Sequence, residues 1–213
     1  MTDLCTKWTA YLDQQHRYPT GLIGQLIGKR MLRQHAPETT WSMELLDLQP
    51  NDRVLEIGFG AGQGLELALN RSPNGYVVGI DLSATMVRVA ARRHAAARTR
   101  GHLSLLRGDM VALPFNDQHF DKVISIHTFY FWPEPHAVFL QLLPLLANSG
   151  RCIITFATAQ TAPTGERGYW PLHDQVEVLV SKLNQATNIS ATLISGPDSR
   201  QFNNVAMVIE KLQ

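Results

Sequence analysis

The sequence predicts an α/β fold whose strands lie mostly parallel and are joined by right-handed crossovers, and three observations predict it. From about residue 53 onwards, apolar runs of strand length alternate with helical stretches, the pattern of a sheet wound through helices. Short runs such as VVGI and CIITF are almost wholly apolar, as strands covered on both faces require. The first strand runs into four glycines at alternate positions, Gly58, Gly60, Gly62 and Gly64, just before a helical stretch.

Taken in order, residues 1 to about 50 hold helix-like pieces at Thr6–Gln15, Leu22–His35 and Thr39–Asp47, with breaks at Pro19-Thr20-Gly21 and at Pro37. The turn signal Pro50-Asn51-Asp52 closes this segment, which reads as an N-terminal helical cap or lid (1–50) on a main domain (51–213). Strands are expected at Arg53–Gly58, Tyr76–Asp81, Leu103–Arg107, Lys122–Ile126 and Arg151–Ala157. Helices are expected at Gly62–Arg71, Ala84–Arg98, Pro135–Leu146 and Leu172–Ala186. The tail reads as two more strands, Ile189–Ile194 and Asn204–Lys211. No helix separates them, so they should pair antiparallel at an edge.

Composition narrows the class. The chain has 213 residues, formal charge +1 and pI near 7.9, without the basic excess of a nucleic-acid footprint. Its two cysteines, Cys5 and Cys152, show neither a disulfide framework nor a metal-ligand spacing, so a reducing cytoplasm is the expectation and no metal is expected. The first residues lack a signal peptide's pattern, and no apolar run approaches a membrane span, so stable membrane insertion is not expected.

The glycine turn carries the chemistry. Free N–H groups at a helix start attract an anion or an electron-rich ligand edge, and glycine lets that ligand lie against the backbone. The dinucleotide fingerprint G-x-G-x-x-G fails here: Gln63 stands where its third glycine belongs, and the spacing is E-x-G-x-G-x-G from Glu56. Asp81 ends the second strand, where a carboxylate can accept both hydroxyls of a ribose. Asp109 follows the third strand, where it can accept from an adenine amine while Met110 packs on the ring. Three acids at the carboxyl ends of three consecutive strands mark the usual ligand crevice of an open α/β sheet.

With the segments VLEIGFGAG, VVGIDLS, LLRGDMVALPF, FDKVISIHTFYFWPEP and LLANSGRCIITF, residues 50–160 resemble the class I S-adenosylmethionine-dependent methyltransferases of small-molecule type. The resemblance implies a Rossmann-like sheet of seven strands, order 3-2-1-4-5-7-6 with the last antiparallel, and S-adenosylmethionine as cofactor. It implies that Gly58, Phe59, Gly60 and Gly62 lie against the methionyl part, and that Glu56 orients the loop or the ammonium group. Asp81 would take the ribose hydroxyls, Leu82 would flank the adenine, and Asp109 with Met110 would hold its edge. His127 stands where many relatives carry a small polar residue, and Asn148-Ser149-Gly150 replaces a glycine-glycine turn.

The acceptor should lie over the ends of strands four and five, under the N-terminal helices. His127 is the candidate base, or the group that holds the acceptor or the methionyl carboxylate. Tyr130 and Trp132 suit a pocket rim, whereas Phe129 and Phe131 suit the core. Tyr169 and Trp170 in the long segment after strand five are further acceptor candidates, as is Trp41, which could instead staple a helix. His119 and His173 read as exposed loop residues. Leu22, Ile23, Leu26, Ile27 and Met31 make one helical stripe, and Lys29, Arg30 and Arg33 make that helix basic. It reads as a lid, with a membrane surface or an acidic acceptor as sharper alternatives. Arg33 and His35 could close over the cofactor. Two other functions fit parts of this pattern: a non-catalytic S-adenosylmethionine-binding protein and, against Gln63, an NAD(P)-dependent oxidoreductase.

Overall fold

The computed structural model describes residues 14–15, 18–160, 172–199 and 202–212. The strands are β1 (Arg53–Ile57), β2 (Tyr76–Asp81), β3 (Leu103–Arg107), β4 (Phe120–Ile126), β5 (Leu146–Gln160), β6 (Ile189–Ser199) and β7 (Phe202–Lys211). They form one sheet in the order β3-β2-β1-β4-β5-β7-β6. Every pair from β3 to β5 is parallel, and β7 is antiparallel to both β5 and β6. The expected order and the antiparallel edge pair are both present.

Helices among the described residues are α1 (Gly21–Gln34), α2 (Ala36–Leu46), α3 (Gln63–Arg71), α4 (Ala84–Arg93), α5 (Ala95–Thr99), α6 (Pro135–Leu145) and α7 (Leu172–Leu183). The expected helix break is present but falls at His35, two residues before Pro37. Pro37 itself sits in the first turn of α2, where a missing N–H removes no intrahelical bond. The single helix expected over Ala84–Arg98 is two, divided at His94. The His94 ring is drawn in to meet the Gly62 carbonyl, with Nε2 2.8 Å from the oxygen. The tail strands run further than expected, into SGPDSRQFN from both sides. His173 falls inside α7 rather than in a loop. Cys5 and most of the Thr6–Gln15 piece lie outside the described residues.

Strand alternation divides the core into two layers. Leu55 and Ile57 point into a cluster with Phe120, Phe139 and Phe156. Val54 points the other way, into a cluster with Met43, Leu46, Leu65 and Ile153. Glu56 shares parity with Val54 and therefore enters the layer beneath α3. The N-terminal helices are fastened to the sheet and its loops. The Ser42 and Thr155 hydroxyls lie 2.6 Å apart, and Ser83 Oγ donates to the Pro19 carbonyl at 2.5 Å. Gly28 of α1 lets that helix approach Met86 of α4, where an added Cβ would meet the thioether at 3.0 Å.

Candidate functional site

The carboxyl ends of β1 to β4 open into a cavity of about 450 Å³, roofed by α1 and the start of α2. Its first end is built from the glycine turn. Gly58, Gly60 and Gly62 all have positive φ, at 72°, 53° and 87°. At Gly60 no atom lies within 4 Å of where a Cβ would stand, so a ligand can approach the backbone there. Gly64 answers a different need: a Cβ would stand 2.2 Å from Glu56 Oε1. Only a bare backbone admits that carboxyl beneath α3. Gly62 is a correction. It faces His94, whose Nε2 would be 2.8 Å from an added Cβ, and it does not line the cavity. Phe59 borders the cavity at 4% exposure, with its ring packed over Gly79.

Glu56, Asp81 and Asp109 all border the cavity. Asp81 Oδ2 accepts the Gly60 N–H and Oδ1 accepts the Ser83 N–H, each at 2.8 Å. The carboxylate thus braces the turn and keeps lone pairs for two further donors. Ser83 caps α4 through the Met86 N–H, which leaves Asp81 free of that task. Burial pushes Asp81 up to about 6, against the pull of its two backbone hydrogen bonds. Burial, reinforced by Asp81, pushes Glu56 up to about 8. Glu56 Oε2 is buried and has no hydrogen-bond partner among the described residues. Leu82, Asp109 and Met110 border the same end; Leu82 is 49% exposed, free to lie along a planar ligand.

The second end joins His35, His127, Tyr130 and Phe131. His127 has φ 56°, an uncommon backbone state for a side chain of this size. Its ring centroid is 4.4 Å from that of His35. Its Nδ1 lies 3.3 Å from the Tyr130 hydroxyl, which also accepts the Ala157 N–H. Burial and then the nearby His35 push His127 down to about 3, so its ring is neutral at physiological pH. Burial pushes Tyr130 up to about 12.

Several expectations change at this end. Trp132 borders the cavity but is no rim residue: it is 5% exposed, packed on Phe129 and Phe139, with Nε1 donating to Thr128 Oγ1. Phe129 is core, whereas Phe131 lines the cavity rather than the core. Trp41 lies away from the cavity, against Gly196 of β6; no room remains there for a side chain. Arg33 lies in an outer groove with Lys29, Arg30 and Arg93. Tyr169 and Trp170 lie outside the described residues. Met31, read as part of the lid stripe, lines the roof; sequence reasoning missed Leu32 and Thr39 there, and it missed Glu38, fully buried beside His35 and His127. The spacing H-x-x-E across the start of α2 was the available signal.

Residues 55–154 match the methyltransferase domain family. The chain is 27% identical over 142 residues to the uncharacterized methyltransferase YdaC of Bacillus subtilis, covering 67% of this chain and 76% of that one. It is 30% identical over 155 residues to a demethylmenaquinone methyltransferase of Shouchella clausii, covering 71% of this chain and 65% of the relative. Among solved structures, a SAM-dependent methyltransferase from Aquifex aeolicus superposes with a TM-score of 0.66 at 17% identity, covering 85% of this chain and 96% of that one. No helix among the described residues is long and apolar enough to cross a membrane.

Proposed function

The chain is a class I S-adenosylmethionine-dependent methyltransferase, and from that premise we propose that it methylates a small, largely apolar acceptor held between His127 and the N-terminal roof. One observation carries this reading: a single cavity with two chemically different ends. The first has buried carboxylates and an approachable backbone, the second an aromatic and histidine-lined space.

The first end fits the cofactor. Bound S-adenosylmethionine supplies a methyl group on a sulfonium, a carbon already activated for in-line displacement. Asp81 is the acceptor for the ribose hydroxyls, using the lone pairs not taken by Gly60 and Ser83. Glu56, whose Oε2 is buried and unpartnered among the described residues, is placed to take a cation, and a positive group beside it favours its ionised form. Asp109, Met110 and Leu82 flank the adenine. Gly58 and Gly60 let the methionyl part approach.

At the second end the protein's work is alignment and exclusion of water, which can contribute roughly 7–11 kcal/mol. Met31, Leu32 and Phe131 supply apolar walls. His127, held neutral by burial, is better suited to offer a ring-nitrogen lone pair than to store the acceptor's proton. We assign residues 1–50 to the lid and 51–213 to the catalytic domain. The name of the Shouchella relative, a demethylmenaquinone methyltransferase, supports an apolar planar acceptor. The near-neutral charge fits a small molecule better than nucleic acid. The two cysteines, in no disulfide pattern, fit a reducing cytoplasm.

Calorimetry with S-adenosylhomocysteine, followed by labelled S-adenosylmethionine with a panel of hydroxylated and quinol acceptors, tests the reading. Cofactor binding with label transferred to an apolar acceptor is expected. His127→Ala should then lower kcat more than cofactor affinity. Absence of binding heat would overturn the cofactor site; label passing only to polar or polymeric acceptors would overturn the acceptor class.

A further inference from the structure

The second end of the cavity holds more than a histidine. His35, at the N-cap of α2, and Glu38, in its first turn, lie on one side of the helix start. His127 comes from the loop after β4. One ligand atom from each of the three lies within 4.8 Å of the other two. We propose that His35, Glu38 and His127 bind one divalent ion of the zinc class, with an open coordination position facing the acceptor. This inference rests on the reading of the cavity as a methyl-transfer site.

Two imidazoles and one carboxylate with an open position form a donor set typical of catalytic zinc, with ligand bonds of about 2.0–2.2 Å. A tetrahedral ion on such bonds places its donors about 3.3 Å apart. From a present limit of 4.8 Å, they have to close by no more than about 1.5 Å, within the reach of side-chain rotation. Two of the donor atoms ask for a partner. His127 Nε2 and Glu38 Oε2 are both buried without a hydrogen-bond partner among the described residues. A carboxyl group with no exposure to water is expensive to leave incompletely satisfied. A cation between these atoms satisfies both at once.

The supporting contacts are also those of a metal site. The other nitrogen of His127 faces the Tyr130 hydroxyl at 3.3 Å. The other oxygen of Glu38 receives the Asn204 side-chain amide at 3.4 Å. Ligands held at their far atoms are oriented towards the ion. The left-handed backbone at His127 is the kind of local cost that persists at functional sites. The ion would lower the pKa of a coordinated acceptor hydroxyl. That hydroxyl would lose its proton to bulk solvent as the acceptor enters, before water is excluded, and keep its electron pair on oxygen as the nucleophile.

The test uses the untagged 213-residue chain, stripped with chelator and then titrated with Zn²⁺ by calorimetry and with Co²⁺ by visible absorption. One ion per chain is expected, with the absorption of low-coordinate cobalt. His35→Ala, Glu38→Gln and His127→Ala should weaken binding by more than the roughly 10–100-fold that follows loss of a supporting contact, and Tyr130→Phe by about that much. His119→Ala, at an exposed site, should bind as the wild type does. If Glu38→Gln fails to fold, His35→Ala, on a partly exposed residue, still decides the matter. Absence of a stoichiometric ion, or unchanged binding in the His35 and His127 variants, overturns the proposal. S-adenosylhomocysteine titrated into the same samples separates the two readings. Cofactor heat without metal binding sinks the metal site alone; metal binding without cofactor heat sinks the cofactor site alone.

Discussion

The two ends of the sheet treat their acids in opposite ways. At the amino end, Asp121 accepts the Arg53 backbone N–H at 2.8 Å and the guanidinium Nε and Nη2 at 3.0 and 2.9 Å. Its pKa is lowered, chiefly by that arginine. At the carboxyl end, Glu56 and Asp81 are pushed up to about 8 and about 6, chiefly by burial. Asp52, near the amino end, is also raised by burial, but it holds the Gln49 N–H at 2.7 Å. Acids that fasten the fold have found their partners within it. The acids of the cavity stay short of positive charge, which is the expected state of groups whose partner is a ligand.

Removing a carboxyl-end acid should therefore cost binding, and the largest effect belongs to Asp81→Ala. Two charge-assisted hydrogen bonds to a ribose, each worth roughly 1.5–3 kcal/mol, predict a loss of S-adenosylhomocysteine affinity of at least about a hundredfold. Calorimetry measures it, and circular dichroism should show the sheet intact. Affinity within threefold of the wild type would break the contrast between the two ends.

Glu56 sharpens the contrast through pH. Its folded pKa lies above the unfolded 4.5, and that of Asp81 lies above 3.8. In the cofactor-free protein their contribution favours the fold fully below about pH 4. It is lost as pH rises through about 6 for Asp81 and about 8 for Glu56. Chemical denaturation of the cofactor-free protein should thus show stability falling from pH 5 to 8.5. Glu56→Gln should flatten the upper part of that fall and raise stability near neutrality by a few kcal/mol at most, while weakening the cofactor. Because a cationic ligand favours ionised Glu56, binding near neutral pH should release a proton. Affinity should then rise with pH by up to about tenfold per unit for each proton released. Calorimetry in buffers of different ionisation enthalpy reads that release directly; uptake of protons would have the sign wrong.

A smaller effect tests how the turn makes room for that acid. Gly64→Ala places a methyl group 2.2 Å from Glu56 Oε1. Overpacking of this kind typically costs about 1–3 kcal/mol. In a Glu56→Ala background the clash disappears, so the double variant should lose much less than the sum of the singles. Additive losses would mean that Gly64 serves the helix backbone instead.

The same contrast explains what was legible in the sequence. The end of the cavity assigned here to the cofactor is written in short segments, each a strand followed at once by its loop. Glu56, Gly60, Asp81 and Asp109 could be placed from alternation and strand ends alone. The strand order and the antiparallel edge pair followed from the resemblance and from the missing helix between the last two strands. Gly62 was misread because its constraint, the His94 ring, comes from a helix about thirty residues away. The acceptor end is assembled from α1, α2 and the loop after β4, and no local pattern records how helices dock. Trp41 therefore seemed a pocket residue when it covers Gly196. Trp132 and Phe131 exchanged their expected places because residue type alone set the expectation, and it does not record how the single 3₁₀ turn over Phe129–Phe131 turns its rings. Glu38 carries little signal of its own, because an acid in the first turn of a helix has an ordinary explanation in the helix dipole.

The amino end gives the smallest effect and the control for the rest. Asp121→Asn leaves the Arg53 N–H an acceptor but removes the charge. The two side chains are 43% and 32% exposed, so solvent screening holds the loss to about 1 kcal/mol or less. The sign with pH is the reverse of that at the cavity. Because the folded pKa of Asp121 is lowered, its contribution is present above the ordinary value of 3.8 and disappears as pH falls through the depressed one. Wild type and Asp121→Asn should therefore differ in urea midpoint at pH 7 and converge in strong acid, with S-adenosylhomocysteine affinity unchanged at pH 7. If this substitution moved cofactor affinity as Asp81→Ala does, the two ends would be coupled through β1 and β4. The division between acids that hold the fold and acids that await a ligand would then fail.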